Sequence, residues 1–391
     1  MSTGHWLRRP VLVGISALLV AMYAIAWVQR TVGLWRNGWI DANHMPFGGD
    51  FVTFWAGSRV ALEGNALSAF DPPAFFAVQE AAIAGNQAHF LWNYPPTFHL
   101  FVLPFGLVDL VTATWLWWAV TVPLYLAALV RVVPRWETAV VGLAGSAVLL
   151  NLAHGQNGFL LTALLVGGLW LVLHDRPVLG GLVLGCLSIK PHFGVLLPVA
   201  LAASRNPRAF AATAASLLVW CGVSTAVFGL AYWSVFADNL GVVGQAIDHG
   251  DLPLGKIVTP YVLARSVGLG ALAGPIQLVS IAVSAACVAY ASSRGRPAGA
   301  MAVLIVATTL CSPYLFDYDL ILLCGAFAFA YVDRTEHGWV PGERELWGLA
   351  ALLPIGLVAL YNATGLQLGP LLTGALLAVC TWGAVRTAET P

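Results

Sequence analysis

VLVGISALLVAMYAIAWV, residues 11–28, contains no charged side chain. Wound as a helix rising 1.5 Å per residue, it comes close to covering the roughly 30 Å hydrocarbon core of a bilayer. The same kind of stretch recurs along the chain. Splitting at Arg-rich and Gly/Pro/Asn breaks leaves further apolar segments near 111–130, 137–152, 158–174, 178–190, 192–204, 209–228, 271–292, 299–311, 319–333, 346–361 and 370–386. The pattern predicts an all-α integral membrane protein, a single polytopic domain over 1–391 with about twelve transmembrane helices. Several segments fall short of the roughly 20 residues that a span needs, so half-helices lining a cavity are expected among them.

Composition agrees. Apolar residues make up 59% of the chain, charged residues 9%, and mean hydropathy is +0.81, whereas roughly a quarter of a soluble domain is charged. Lipid is therefore the solvent for most of these side chains. Lys+Arg and Asp+Glu balance at 18 each, which removes the positive field a nucleic-acid binder uses. The six cysteines show no CxxC and no Cys/His cluster, and read as small buried hydrophobes. No Walker A, GxSxG or HExxH sequence occurs, so nucleotide hydrolysis, serine hydrolysis, zinc proteolysis and ATP-driven pumping have no support. No internal repeat is visible.

The start, His5 to Arg9 before the first apolar run, has the form of a signal peptide, with Ala24-Ile25-Ala26 resembling a cleavage site. The length of the run favours an uncleaved signal anchor. Placing the N-terminus in the cytoplasm puts Arg8, Arg9, Arg131, Arg135, Arg176, Arg205, Arg208, Arg294, Arg296, Arg334, Arg344 and Arg386 inside. Arg30, Arg36, Arg59, Lys190, Lys256 and Arg265 then fall outside. That split obeys the positive-inside rule and predicts a multi-pass plasma-membrane protein with both termini cytoplasmic.

Two long outer loops result, about 29–109 and 229–270, and chemistry is expected there. In the first, Phe51, Phe54, Trp55, Ser58 and Leu62 share one face of a helical stretch expected to lie on the membrane interface. Phe98 to Leu107, after Asn93-Tyr94-Pro95-Pro96, is too short to span and reads as a re-entrant or interfacial helix. The 16 tryptophans suit interfacial belts or a cleft for sugar rings.

Asp50, in Gly48-Gly49-Asp50-Phe51, can serve as a general base or as the N-cap of the helix that follows; Asp41 is its nearby competitor. The chain's two lysines, Lys190 and Lys256, both map to the face where lysine is disfavoured. Lys190, in Ser188-Ile189-Lys190-Pro191-His192, sits between short apolar segments. There an ammonium either meets a lipid phosphate, with His192 as a second donor, or snorkels to the interface. Lys256, Arg265 and Arg59 are candidates for the same anion. Asp317 and Asp319 resemble a metal-binding DxD, but i, i+2 residues do not share a helix face and Asp319 is placed to cap the next span, so no metal is expected. His154-Gly155-Gln156-Asn157-Gly158 supplies neutral groups suited to sugar hydroxyls, or simply a turn.

Five pieces together, Asp50-Phe51-Val52-Thr53-Phe54-Trp55, Asn93-Tyr94-Pro95-Pro96, Gly155-Gln156-Asn157, Ile189-Lys190-Pro191-His192 and Ser312-Pro313 through Tyr318-Asp319-Leu320, resemble the GT-C superfamily of membrane glycosyltransferases, and more narrowly glycosyltransferase family 87. The resemblance implies a GT-C-like bundle and a polyprenyl-phosphate-sugar donor, often mannose or arabinose. It also implies a lipid or glycan acceptor, membrane lipids as further partners, and inverting transfer on the extracytoplasmic side. Asp50 aligns with the family's catalytic base. Lys190 and His192, with Lys256, Arg265 and Arg59, would hold the donor phosphate. Asp41, Tyr94, His154, Gln156, Asn157, Tyr314, Asp317 and Asp319 would contact substrate. Many members carry His where this chain has Tyr314. The leaving group is a single phosphate, so fixed cations are expected to suffice without metal or cofactor. A secondary transporter or lipid flippase is the alternative, because broken spans and intramembrane charges also mark transport sites; the long outer loops count against it, and nothing physical forbids a non-enzymatic scaffold.

Overall fold

The computed structural model describes residues 9–386; His5 and Arg8, part of the expected cytoplasmic start, lie outside the described residues. These fold into helices joined by turns and short 3₁₀ segments, with no strand among them. In chain order they are α1 (Arg9–Arg36), α2 (Phe51–Leu62), α3 (Pro72–Ala81), α4 (Pro96–Val102), α5 (Leu110–Val132), α6 (Glu137–Ala144), α7 (Ser146–His154), α8 (Gly158–Leu173), α9 (Pro177–Gly185) and α10 (Leu197–Ala203). There follow α11 (Pro207–Phe228), α12 (Ala231–His249), α13 (Pro260–Ser266), α14 (Ala273–Arg294), α15 (Pro297–Thr308), α16 (Leu322–His337), α17 (Glu343–Leu352), α18 (Leu357–Thr364) and α19 (Gly369–Val385).

Each apolar segment read from the sequence falls on one or two of these helices, but few are long enough to reach across a bilayer. Among the described residues, five helical stretches are long and apolar enough, namely Arg9–Arg36, Leu110–Val132, Pro207–Phe228, Gly270–Arg294 and Glu343–Thr364. The pair α6 and α7, bent by 72°, makes a sixth if counted as one span. The bend falls at Gly145, whose extended ψ of 134° interrupts the helix.

Much of the interior is built from the short helices, together with the longer α5. Every residue of α15 from Gly299 to Thr308 is buried, the signature of a helix apolar all round and enclosed by protein; α14, α16 and α19 pack about it. On α9, Gly181 and Gly185 face α11 so closely that a Cβ would stand 2.5 Å from the Ala209 carbonyl and 2.4 Å from Ser216 Cβ. Small residues four apart permit such approach between membrane helices. At the far end, Arg334 is fully buried, donates to Glu343 at 2.9 Å and to the Cys380 carbonyl at 3.2 Å, and pairs with Asp333. Arg296 holds the same Asp333 at 2.7 Å, so charge pairing ties the start of α15 to α16 and α17, and arginine bonds to backbone carbonyls add α19.

The first long loop folds inward. In α2, Phe51, Phe54 and Ser58 are buried by protein, and Leu62 alone of the expected interfacial face is exposed. The cause is aromatic: Phe54 packs on Tyr94, Phe98 and Trp117, and Trp92 lies flush on Gly57. The second loop contains α12, an amphipathic helix whose inward stripe is Tyr232, Val243 and Ile247.

Candidate active site

Two glycine turns create the site. Gly48 and Gly49 take φ of +88° and +56°, and Gly155 ends α7 at φ +59°, the left-handed region that glycine enters without penalty. A Cβ on Gly155 would lie 2.2 Å from the Gly48 carbonyl oxygen, so the turns can touch only because both are bare. Their contact brings Asp50 onto the His154–Gln156 segment.

Asp50 makes no capping bond to α2. Its carboxylate instead accepts from Gln156 Nε2 at 2.9 Å and faces His154 Nδ1 at 3.6 Å. The other end of the Gln156 amide receives the Tyr94 hydroxyl at 3.4 Å, which fixes the direction of the amide. Lys256 Nζ lies 3.5 Å from His154 Nε2. One imidazole thus stands between an ammonium and a carboxylate, accepting from the first and presenting its Nδ1 to the second.

Asp50, Tyr94, Gln156 and Lys256, with Tyr318, line a cavity of about 430 Å³, within the usual size range of small-molecule sites; His154 stands behind Asp50 and Lys256 and does not border it. Phe316 and Tyr318 stack at 5.1 Å to form an aromatic wall. Loop and wall are joined where Val258 N–H donates to the Leu315 carbonyl at 2.7 Å. Tyr314 stands behind, accepting from Asn93 Nδ2 at 3.2 Å, and burial pushes its hydroxyl up to about 12. Asn157 is fully buried beside Tyr94. Asp317 is buried too: desolvation pushes its carboxyl up to about 6 against the opposing pull of His154 and Lys256.

Lys190 does not line this cavity. Its Nζ donates to Asp319 Oδ1 at 2.6 Å, both side chains being almost wholly buried, and sits 5.7 Å from the centre of the Tyr318 ring. The ammonium is therefore one aromatic ring behind the cavity wall. Asp319 also accepts from Phe316 N–H at 3.2 Å, so the carboxylates of Asp317 and Asp319 have separate partners. His192 turns into an apolar groove with Phe210 and Leu217. Arg265 is held by Asp248 at 3.0 Å, Arg59 lies over Trp55 and donates to the Gly106 carbonyl at 3.2 Å, and Asp41 caps its own turn through Asn43 and Met45 N–H. None of these four borders the cavity.

Residues that sequence reasoning passed over support the wall. Asn239 donates to Asn93 Oδ1 at 2.9 Å and to the Trp92 carbonyl at 3.1 Å. Tyr232 joins Trp92 Nε1 and His99 Nδ1, each at 2.7 Å. Their signal was an asparagine on the apolar stripe Tyr232, Phe236, Asn239, Val243 and Ile247 of a helix, where a polar side chain needs a partner.

Compared with known proteins, the chain matches a family model described as Glycosyltransferase family 87 over residues 92–313. No curated protein and no solved structure matches it. The matched segment contains Tyr94, His154, Gln156, Lys190 and Lys256; Asp50 lies well outside it on the N-terminal side, and Tyr318 follows just after its end. Spanning more than half of the chain, the match makes this protein, an all-helical membrane glycosyltransferase, a member of glycosyltransferase family 87.

Proposed function

We propose that the protein transfers a sugar of mannose or arabinose type from a polyprenyl-phosphate donor to a hydroxyl of a lipid or glycan acceptor, with inversion. In this reading the chain keeps both termini on the cytoplasmic side of the plasma membrane and opens its cavity on the extracytoplasmic side. Support comes from one observation above all: a single cavity holds a carboxylate, Asp50, and an ammonium, Lys256. The acceptor oxygen forms a bond to the anomeric carbon as its proton passes to Asp50. The bond from that carbon to the donor phosphate oxygen breaks, and the electron pair leaves with the phosphate. Lys256, backed by His154, is placed to stabilise that departing charge. Lys190, already neutralised by Asp319, acts from behind the wall by holding Tyr318.

The test is transfer by the reconstituted protein from polyprenyl-phosphate mannose and from the arabinose counterpart. Asp50→Asn should slow transfer by about 10²–10⁴-fold, and Lys256→Met should weaken donor use. Wild-type rates in Asp50→Asn would sink the assignment of the base.

A further inference from the structure

Between the C-terminal ends of α10 and α14 lies a polar notch of about 510 Å³, lined by Ala203, Ser204, Arg205, Ser292, Ser293 and Arg294. No carboxylate borders it. Among the described residues neither guanidinium has an ion pair or a hydrogen bond. Some of the other arginines do: Arg9 pairs with Glu137, Arg296 and Arg334 with Asp333. A cation at a helix C-terminus is favoured by the helix dipole, which accounts for Arg205 and Arg294 singly. It does not account for two like charges, contributed by separate helices, sharing one notch lined otherwise by serine hydroxyls and alanine.

The position narrows the ligand. Helix α14 begins after the loop that carries Lys256 and runs 22 residues to Arg294, or about 33 Å. The notch therefore sits about one bilayer thickness from the cavity, at the opposite membrane face. Beneath it, Tyr290, Val283 and Val279 form an exposed apolar strip down α14. We infer that the notch binds the phosphate of an anionic phospholipid of that leaflet, held in the forks of Arg205 and Arg294, with its acyl chains along the strip. Arginine recognises phosphate through paired N–H donors, and basic pockets between membrane helices take anionic head groups.

The test uses the full chain purified in a neutral detergent. Phosphatidylglycerol should raise the unfolding temperature by a few degrees, whereas phosphatidylcholine with the same acyl chains and inorganic phosphate should not. In Arg205→Gln/Arg294→Gln the dissociation constant for phosphatidylglycerol, read by native mass spectrometry, should rise at least about 10-fold, the effect of losing one charge-assisted pair. Arg176→Gln, an exposed arginine elsewhere, should leave it unchanged. The double Lys variant, which keeps charge but loses the forks, should fall between. Equal binding by wild type and the Gln variant overturns the site; an equal shift from inorganic phosphate overturns the lipid as its occupant.

Discussion

Gln156 donates its amide N–H to the Asp50 carboxylate at 2.9 Å across a sequence separation of 106 residues. With Tyr94 on the opposite end of the same amide, this bond orients the carboxylate toward the cavity and away from the helix it would otherwise cap. Gln156→Leu removes the donor while filling the same volume. We expect kcat to fall about 10-fold, the usual consequence of losing one hydrogen bond to a charged group, with the unfolding temperature nearly unchanged. An unaltered kcat would show that Asp50 is oriented by something else.

The contact beneath that bond is less forgiving. Gly155→Ala places a Cβ 2.2 Å from the Gly48 carbonyl and 2.7 Å from Phe51 Cβ, at a φ that alanine avoids. The Gly48-Gly49 turn must retreat, carrying Asp50 with it. Because a displacement near 1 Å costs about 10²-fold in a preorganised site, transfer should drop by that order in protein that still folds in detergent. Near-wild-type activity would mean that the turns tolerate separation.

Lys190 and Asp319 form a buried pair, and breaking such a pair is worse than removing it. Lys190→Met strands a carboxylate and should destabilise by about 3–5 kcal/mol. Lys190→Met/Asp319→Leu should recover most of that loss in thermal unfolding. Its activity then separates two roles. Transfer near the wild-type rate fits an ion pair that only supports Tyr318, and transfer lost in a stable double variant would show that the ammonium acts on the donor phosphate itself.

Why some of this was legible in the sequence, and some was not, follows from the range of the interactions involved. Apolar runs report burial in lipid or protein whatever the partner, so helix positions emerged. Whether a run crosses the bilayer depends on its neighbours: α15 at 12 residues is enclosed by other helices. Asp50 was found because a glycine turn beside a helix start is a local signal, yet its release from capping depends on Gln156. Lys190 was recognised as a costly charge, but its partner Asp319 lies 129 residues away, and no local pattern reveals that it is already neutralised. Asn239 was missed because its meaning rests on Asn93.

Asp317 gives the protein a pH signature. Burial raises its carboxyl from the ordinary 3.8 to about 6, so the folded chain holds this proton more tightly than the unfolded chain does. Stability from this group is complete below pH 3.8 and is lost as pH climbs to about 6. At about 1.4 kcal/mol per unit the loss approaches about 3 kcal/mol. Asp317→Asn should therefore unfold at a higher temperature than wild type at pH 7.5, with the gap closing toward pH 4.5. A gap that is constant with pH would mean that the carboxyl titrates normally.

Asn239 offers the sharpest division between holding the fold and shaping the site. It occupies a position on the apolar stripe of α12 where leucine would pack well, so Asn239→Leu should change stability by no more than about 1 kcal/mol. Yet the substitution withdraws the donor from Asn93 Oδ1, and Asn93 in turn steadies the Tyr314 hydroxyl. With the amide free to turn, the wall beside Tyr94 loses its fixed pattern of donors and acceptors. The expected outcome is an acceptor KM raised about 5- to 10-fold, of the order of one neutral hydrogen bond, with kcat changed much less because Asp50 and Gln156 are untouched. Asn239→Ser, which can still donate one bond to Asn93, should recover part of the loss. A parallel fall in kcat and stability, without any change in KM, would reduce Asn239 to a packing residue.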